Sequence, residues 1–290
     1  MNILITGSNG QLGSEIKDLA ADYKNFNFFF MDLPALDICN SNELDIFFKD
    51  KAINTVINCA AYTAVDKAEQ DADIAEKVNG TGVLNLVNAV AKVDGKLIHI
   101  STDYVFDGNS FLPYEELDEV NPIGVYGNTK RSGELAVINS DIDGIVIRTS
   151  WLYSAYGNNF VKTMLRLGNE RDELGVIFDQ VGTPTNASDL ARTCLDILTY
   201  SSQIEMNSKG KIYHFSNEGV ASWYDFAIAI MELGKVDCHL KSIETKDYPT
   251  PAKRPHFSVL NKSKIKSDFE IKIPYWRYSL AECISKLHKN

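Results

Sequence analysis

The pair Tyr126 and Lys130 is the feature of this sequence with the most direct chemical meaning. The two residues are four apart in a segment that is expected to be helical, so they share one face of that helix. A nearby ammonium favours the phenolate, which predicts that the pKa of Tyr126 is lowered and that its phenol is an acid near neutral pH. A single Y-x-x-x-K pair also occurs by chance on solvated helices, so its interpretation depends on the surrounding elements.

A glycine-rich turn at the start of the chain predicts a nucleotide site. An apolar run at 1–6 is followed by Gly7-Ser-Asn-Gly10-Gln-Leu-Gly13 and then by a helical pattern. Glycines at a strand-to-helix turn let the backbone approach a pyrophosphate, whose charge then lies among the unpaired N–H groups of the helix N-terminus. The G-x-x-G-x-x-G spacing differs from the G-x-G-x-x-G of many dehydrogenases.

Further polar groups follow the next predicted strands. Asp32 ends the β-prone run at 26–31, about 20 residues beyond the glycine turn, where a carboxylate accepts hydrogen bonds from a ribose. Because a carboxylate repels a 2′-phosphate, Asp32 weakly favours NADH over NADPH. A strand at 96–101 brings Ser101-Thr102-Asp103 to its carboxyl end, where catalytic groups of open parallel sheets are found.

The order of these elements predicts the fold class, an α/β protein with a Rossmann-type doubly wound parallel sheet. Strands at 1–6, 26–31, 55–61, 96–101 and 142–148 alternate with helical patterns. After this regular part, we expect a smaller, discontinuous α/β domain. Ser41 and Ser188 are predicted to cap the helices at about 41–49 and 188–200.

Composition excludes several classes of protein. The formal net charge of -10 argues against a general nucleic-acid or anionic-membrane binder. No segment approaches 18 consecutive apolar residues, and no basic leader precedes the first strand. The five cysteines form neither a C-x-x-C pair nor a cluster with metal-ligand spacing, so free thiols and a cytoplasmic location are expected.

Together, these motifs resemble the extended short-chain dehydrogenase/reductases and, within them, the dTDP-4-dehydrorhamnose reductase family, over nearly the whole chain. The resemblance rests on motifs spread from the N-terminus to the last third of the chain, which are GSNGQLG at 7–13, TAVDKAE at 63–69, STDYVF at 101–106, VYGNTK at 125–130, RTSW at 148–151, GNNF at 157–160, DQ at 179–180 and YPTPAKRP at 248–255.

The resemblance implies reduction of the 4-keto group of dTDP-4-dehydro-L-rhamnose to dTDP-L-rhamnose by NADPH or NADH. It implies a Rossmann domain at 1–150 plus about 185–215, and a sugar-nucleotide-binding lobe at about 151–184 and 216–290. The catalytic residues that it implies are Thr102, Tyr126 and Lys130. The implied coenzyme contacts, which include the last two of these, are Gly7, Gly10, Gln11, Leu12, Gly13, Asp32, Asp37, Ile38, Ala61, Tyr62, Thr63, Tyr126 and Lys130. The implied substrate contacts are Thr102, Asp103, Tyr104, Trp151, Asn159 and Arg254.

Other functions remain open at this stage. The same fold is compatible with a reductase of another nucleotide-linked 4-keto-6-deoxy sugar, or with a regulatory subunit that binds a partner enzyme without catalysis. Some members of the family resemble magnesium-linked dimers, and Glu15 stands where one acidic ligand would be. Asp189 replaces a longer glutamate near a second such position, so we expect no structural metal and either a monomer or a homodimer.

Overall fold

The computed structural model describes residues 1–203 and 210–289. The strands are β1 (Asn2–Thr6), β2 (Asn27–Phe30), β3 (Thr55–Asn58), β4 (Lys96–Thr102), β5 (Asp143–Thr149), β6 (Leu152–Tyr153), β7 (Glu173–Ile177), β8 (Val181–Gly182), β9 (Thr185–Asn186), β10 (Lys211–His214), β11 (Ala221–Ser222) and β12 (His239–Ile243). The helices are α1 (Gln11–Leu19), α2 (Ser41–Lys51), α3 (Val65–Ala68), α4 (Ala72–Glu76), α5 (Gly82–Ala91), α6 (Val125–Ile138), α7 (Phe160–Glu170), α8 (Ala187–Gln203), α9 (Trp223–Gly234), α10 (Ser263–Phe269) and α11 (Trp276–Leu287).

The main sheet is parallel and has the strand order β10-β5-β4-β3-β1-β2. The chain therefore leaves β1 in one direction to form β2 and returns to the other side of β1 to form β3. This confirms the predicted doubly wound, Rossmann-type α/β sheet. In such sheets, ligands bind outside the carboxyl ends of the strands, at the point where the strand order reverses.

Helices cover both faces of this sheet because its central strands are apolar on both sides. Successive side chains of a strand point to opposite faces. Ile3 and Ile5 pack in one buried cluster with residues of α1 and α8, whereas Leu4 packs in another with residues of α2 and α5. Within the two described ranges, no helix combines the length and the apolar sequence needed to cross a membrane.

A second lobe is built around its own apolar core. Val161 of α7, Phe226 of α9 and Leu280 of α11 are buried together there. The pairs β7–β12 and β8–β11 cross this lobe, whereas β10 returns to the main sheet beside β5. The predicted domain limits stay a prediction, and residues 204–209 of the segment at 185–215 lie outside the described residues.

Two predicted helix caps are wrong by one or two residues. The side chain of Asn40, rather than Ser41, accepts a hydrogen bond from the backbone N–H of Glu43 at the start of α2. At the start of α8, Asn186 Oδ1 accepts from the backbone N–H of Ser188 at 3.0 Å. In both places an asparagine precedes the serine in the chain, and the two residue types are equally good caps.

Candidate functional site

A cavity of about 810 Å³ opens at the carboxyl ends of the main-sheet strands. Its walls come from the segments that follow β1, β2, β3, β4 and β5, together with α6. Most of the predicted site residues line it, namely Gly7, Gly10, Gln11, Leu12, Asp32, Asp37, Ile38, Ala61, Tyr62, Thr63, Thr102, Asp103, Tyr104, Tyr126, Lys130 and Trp151. A volume of this size is typical of small-molecule and cofactor sites.

The glycine turn brings the backbone to one end of this cavity. Gly7 has a φ of +60°, and a Cβ atom there would lie 2.7 Å from Cα of Ala60. Gly10 precedes α1 in an extended conformation, and no side chain caps the first N–H groups of the helix. Gly13 does not line the cavity but lets α1 approach the turn, because a Cβ there would lie 2.5 Å from Cα of Ser8.

Asp32 is fixed at the carboxyl end of β2 by two backbone groups. Its Oδ2 accepts from the N–H of Asn9 at 2.9 Å, and its Oδ1 accepts from that of Leu33 at 2.8 Å. The carboxylate is thus bonded to the glycine turn itself. Among the described residues that line the cavity, Lys130 is the only cationic side chain, and it lies at the α6 side.

A buried amide that the sequence analysis missed holds the segment after β3. Asn79 Oδ1 accepts from the N–H of Tyr62 at 2.8 Å, and its Nδ2 donates to the carbonyl of Tyr62 and to Oγ1 of Thr129. Asn79 therefore ties the predicted coenzyme segment Ala61 to Thr63 to helix α6. The available signal was an asparagine just before the apolar pattern of α5, where a buried amide needs polar partners.

Helix α6 places Tyr126 and Lys130 on the cavity wall, but it changes their acidity differently from the prediction. Lys130 donates to the carbonyl of Ile100 at 2.6 Å. Burial raises the pKa of Tyr126 to about 12, against the effect of a hydrogen bond with Thr102. Burial also lowers the pKa of Lys130 to about 8, against the charge of Glu134. The predicted lowering of the Tyr126 pKa is therefore wrong, because desolvation of the phenolate outweighs the favourable contacts.

The end of β4 supplies the third group of polar side chains. Thr102 Oγ1 donates to Asp103 Oδ1 at 3.0 Å and accepts from the N–H of Tyr104. Burial raises the pKa of Asp103 to about 6, against hydrogen bonds from Ser258 and Thr102 that lower it. The ring of Tyr104 packs edge-on against Tyr126 at 5.6 Å between centroids. Thr102 and Tyr126 thus share one corner of the cavity.

Two predicted substrate contacts do not line this cavity within the described part of the chain. Asn159 caps α7 through the N–H of Lys162, and its amide also donates to Gln11 Oε1 at 3.0 Å. Arg254 forms a two-pronged ion pair with Asp66 of α3, with distances of 2.7 and 3.1 Å. Their direct contact with a substrate therefore stays a prediction.

The acidic residues considered for a metal have other partners. Glu15 accepts from Ser154 Oγ at 2.6 Å and from Lys286 Nζ at 2.8 Å. Asp189 accepts from Ser279 Oγ and from the amide of Asn217. Across residues 1–203 and 210–289, no group of three or more His, Cys, Asp or Glu side chains is arranged to hold a metal ion.

Similarity to known proteins agrees with this geometry. The family model described as RmlD substrate binding domain matches residues 1–289. The dTDP-4-dehydrorhamnose reductase of Aggregatibacter actinomycetemcomitans is 41% identical over 284 residues, which cover 96% of each chain. A crystal structure of a dTDP-4-dehydrorhamnose reductase from Clostridium acetobutylicum is 44% identical, with a TM-score of 0.92 over 99% of this chain and 100% of that one. A Bacillus anthracis dTDP-4-dehydrorhamnose reductase in complex with NADP has 34% identity and a TM-score of 0.92, over 98% of this chain and 99% of that one.

Proposed function

This chain belongs to the dTDP-4-dehydrorhamnose reductase family, and from that premise we propose how its cavity reduces dTDP-4-dehydro-L-rhamnose to dTDP-L-rhamnose. The observation that carries the assignment of roles is one continuous cavity, which joins the glycine turn at Gly7 to the corner formed by Thr102 and Tyr126. A coenzyme site and a proton donor are therefore parts of the same space. That is the arrangement needed for carbonyl reduction.

The groups at the glycine end suit a dinucleotide. The N-terminus of α1 offers uncapped N–H donors and a partial positive charge, which favour a pyrophosphate. The missing side chain at Gly10, which lines the cavity, leaves the backbone accessible. A reduced nicotinamide coenzyme bound along this wall supplies the hydride that the reaction requires.

Tyr126 is the proton donor in this proposal. In the direction of reduction, the donor must begin as a neutral phenol, and a pKa of about 12 keeps Tyr126 protonated throughout the physiological range. Its proton passes to the alkoxide that forms at the sugar C4 oxygen. The cost of forming the buried phenolate is then reduced by the ammonium of Lys130.

Thr102 has its own part in this scheme. Its hydroxyl donates to Asp103 Oδ1, and it turns from that carboxylate to the sugar oxygen when the alkoxide forms. Lys130 binds the nicotinamide ribose in the family pattern, and its bond to the carbonyl of Ile100 fixes the ammonium against β4. Asp103, Tyr104 and Trp151 form the wall that meets the sugar nucleotide.

We further propose that NADH is preferred over NADPH. The Asp32 carboxylate is held at the glycine turn by Asn9 and Leu33 and repels a 2′-phosphate. Of the described side chains that line the cavity, Lys130 is the single cation, and its ammonium is bonded to β4 instead of facing β2. A 2′-phosphate near β2 thus has no cationic partner on the described cavity wall.

The remaining assignments follow from the same arrangement. We propose that the Rossmann part binds the coenzyme and that the second lobe binds the sugar nucleotide. All the groups assigned here belong to one chain, so activity does not depend on whether the protein is a monomer or a homodimer. The partners of Glu15 favour activity without magnesium. The five cysteines have free thiols, which suits the proposed cytoplasmic location.

The test is coenzyme oxidation by purified protein with dTDP-4-dehydro-L-rhamnose and either NADH or NADPH, with and without a chelator. Tyr126→Phe should lose about 10²- to 10⁴-fold in rate. Tyr278→Phe, which changes a tyrosine that is 71% exposed, is the matched control and should keep full activity. Folded protein that binds a coenzyme but gives no turnover would instead indicate another keto sugar or a non-catalytic subunit.

A further inference from the structure

The indole of Trp151 is held in an unusual position on the cavity wall. Its backbone has a φ of +48°, in the left-handed region that a bulky side chain rarely adopts. Such a conformation persists only when the surrounding structure determines it. Two hydrogen bonds fix the turn, since Ser150 Oγ donates to the carbonyl of Thr183 and the N–H of Thr185 donates to the carbonyl of Trp151.

The ring of Trp151 lies face to face with that of Trp223. Their centroids are 3.6 Å apart and their planes differ by 8°. Because carbon atoms in contact are separated by about 3.5 Å, this distance leaves almost no lateral offset between the rings. Aromatic pairs prefer offset or edge-to-face geometry, so the surroundings must impose this arrangement.

Those surroundings are the ribbon formed by β8 and β11. On one side, a Cβ atom at Gly182 of β8 would lie 2.8 Å from Cε2 of Trp151, so the absence of a side chain there makes room for the indole. On the other side, Trp223 follows β11 directly. The antiparallel register pairs Ala221 with Gly182. Gly182 and Trp223, the two residues that contact the Trp151 ring here, are therefore both positioned by this one pair of strands.

Trp223 itself is anchored by the first turn of α9. Ser222 and Asp225 form a reciprocal capping box around it. Phe160 at the start of α7 packs against the Trp223 ring at 4.7 Å between centroids. Trp223 is not among the described residues that line the cavity, whereas Trp151 is, so the stack is a direct link between Trp223 and that wall.

We propose that Trp223 is a positioning residue that sets the ring plane of Trp151, and thereby the affinity for the nucleotide sugar but not for the coenzyme. This inference rests on the proposed function, because it takes Trp151 as part of the wall that meets the sugar nucleotide. The glycine turn and the segment that follows β2 line the cavity, whereas no described residue of the β8–β11 ribbon does.

The test compares Trp223→Phe and Trp223→Ala with Ile228→Ala, which removes packing from the same helix and core without touching the Trp151 stack. Three measurements are made on the full chain, namely steady-state kinetics, calorimetric titration with dTDP-L-rhamnose and with coenzyme, and circular dichroism. Two stacked indoles whose transition dipoles are rotated relative to each other give an exciton couplet in the far ultraviolet, and this couplet reports the stack independently of activity.

We expect Trp223→Ala to raise KM for the sugar nucleotide and to weaken dTDP-L-rhamnose binding by about 3- to 10-fold, the value of one aromatic stack. Coenzyme affinity should stay unchanged and kcat should change less than KM. The couplet should disappear in both Trp223 variants and persist in Ile228→Ala. Trp223→Phe keeps an aromatic face against Trp151 and should lie between wild type and Trp223→Ala in affinity.

Different outcomes separate the two proposals. If wild type turns over and folded Trp223→Ala loses the couplet while both sugar-nucleotide constants stay at wild-type values, the positioning role is wrong and the proposed function stands. The same holds if Ile228→Ala weakens binding as much as Trp223→Ala, since general loosening of α9 would then explain the effect. A folded wild type that neither turns over nor binds dTDP-L-rhamnose overturns both.

Discussion

Replacing Arg148 by methionine should destabilise the protein strongly and in a pH-dependent way. Arg148 Nε donates to Glu134 Oε1 at 2.8 Å and its Nη2 donates to Oε2 at 2.9 Å. Both side chains are 0% exposed. The guanidinium also lies over the ring of Phe106, 5.0 Å from its centroid. The pair joins β5 to α6 one turn beyond Lys130, so it supports the helix that carries the predicted catalytic residues.

The expected size follows from the charge that the substitution leaves behind. Removing one partner of a buried ion pair typically costs about 3 to 5 kcal/mol, because the other charge stays buried. Arg131 Nη1 remains 2.7 Å from Glu134 Oε2, but its side chain is 27% exposed and it offers one bond in place of two. We therefore expect about 3 kcal/mol of lost stability for Arg148→Met at pH 8.

The sign of the pH dependence follows from Glu134. Burial by itself raises the pKa of Glu134, but the hydrogen bonds and charge of Arg148 hold it below its usual value in the wild type. In Arg148→Met burial prevails, so the folded state takes up a proton more readily than the unfolded chain. The loss of stability is then greatest above the new folded pKa, and it shrinks as the pH falls through that value and the buried carboxylate is neutralised.

Urea unfolding followed by circular dichroism at pH 8 and pH 5 measures both effects. Lys92→Met is the matched control, since it breaks an ion pair with Asp45 whose side chains are 60% and 41% exposed. That control should change stability by less than about 1 kcal/mol. The double variant Arg148→Met/Glu134→Leu should be more stable than Arg148→Met. A loss below about 1 kcal/mol at pH 8, or an equal loss at both pH values, would refute the reasoning.

Three further outcomes are expected. Turnover should fall as the pH rises through about 8, where Lys130 loses its charge, and a pH–rate profile in which activity persists unchanged to pH 10 would contradict this. Burial raises the pKa of Asp103 to about 6 from 3.8, so this group alone lowers stability by about 2 kcal/mol between pH 4 and pH 7, and in urea melts Asp103→Asn should gain about that much relative to wild type over the same range. Lys286→Met leaves the buried carboxylate of Glu15 without its ammonium partner and should cost about 1 to 3 kcal/mol in the same assay, whereas no change would mean that water replaces the ammonium.

The sheet was predictable because its signals are local. Apolar runs of strand length, such as Thr55–Asn58 and Asp143–Thr149, alternate with helical patterns, and that order has few alternatives to a doubly wound parallel sheet. The second lobe carried weaker signals. Its strands Val181–Gly182 and Ala221–Ser222 are two residues long, and their pairing is decided by contacts distant in sequence. The sequence therefore contained no local signal for β8, whose Gly182 makes room for Trp151.

The same distinction applies within the site. Gly7, Asp32 and Thr102 could be placed because each follows a predicted strand, and the carboxyl ends of parallel strands meet at one edge. Asn159 and Arg254 lie outside the helices and strands. In such segments no repeating sequence pattern predicts the direction of a side chain. In the structure, the side chain of Asn159 caps α7 and that of Arg254 pairs with Asp66.

The acidity of Tyr126 shows why residue spacing alone gave the wrong sign. The spacing established that Lys130 shares a helix face with the phenol. A nearby charge is only one of the three influences on a pKa, beside burial and hydrogen bonding. The spacing carried no information on how deeply α6 is covered, and burial is the largest influence on both groups. The result still suits reduction, because a proton donor that is neutral at the start of the reaction needs stabilisation only once the alkoxide has taken its proton. Catalysis then depends less on the resting acidity of Tyr126 than on the bonds that Thr102 and Lys130 make at that moment.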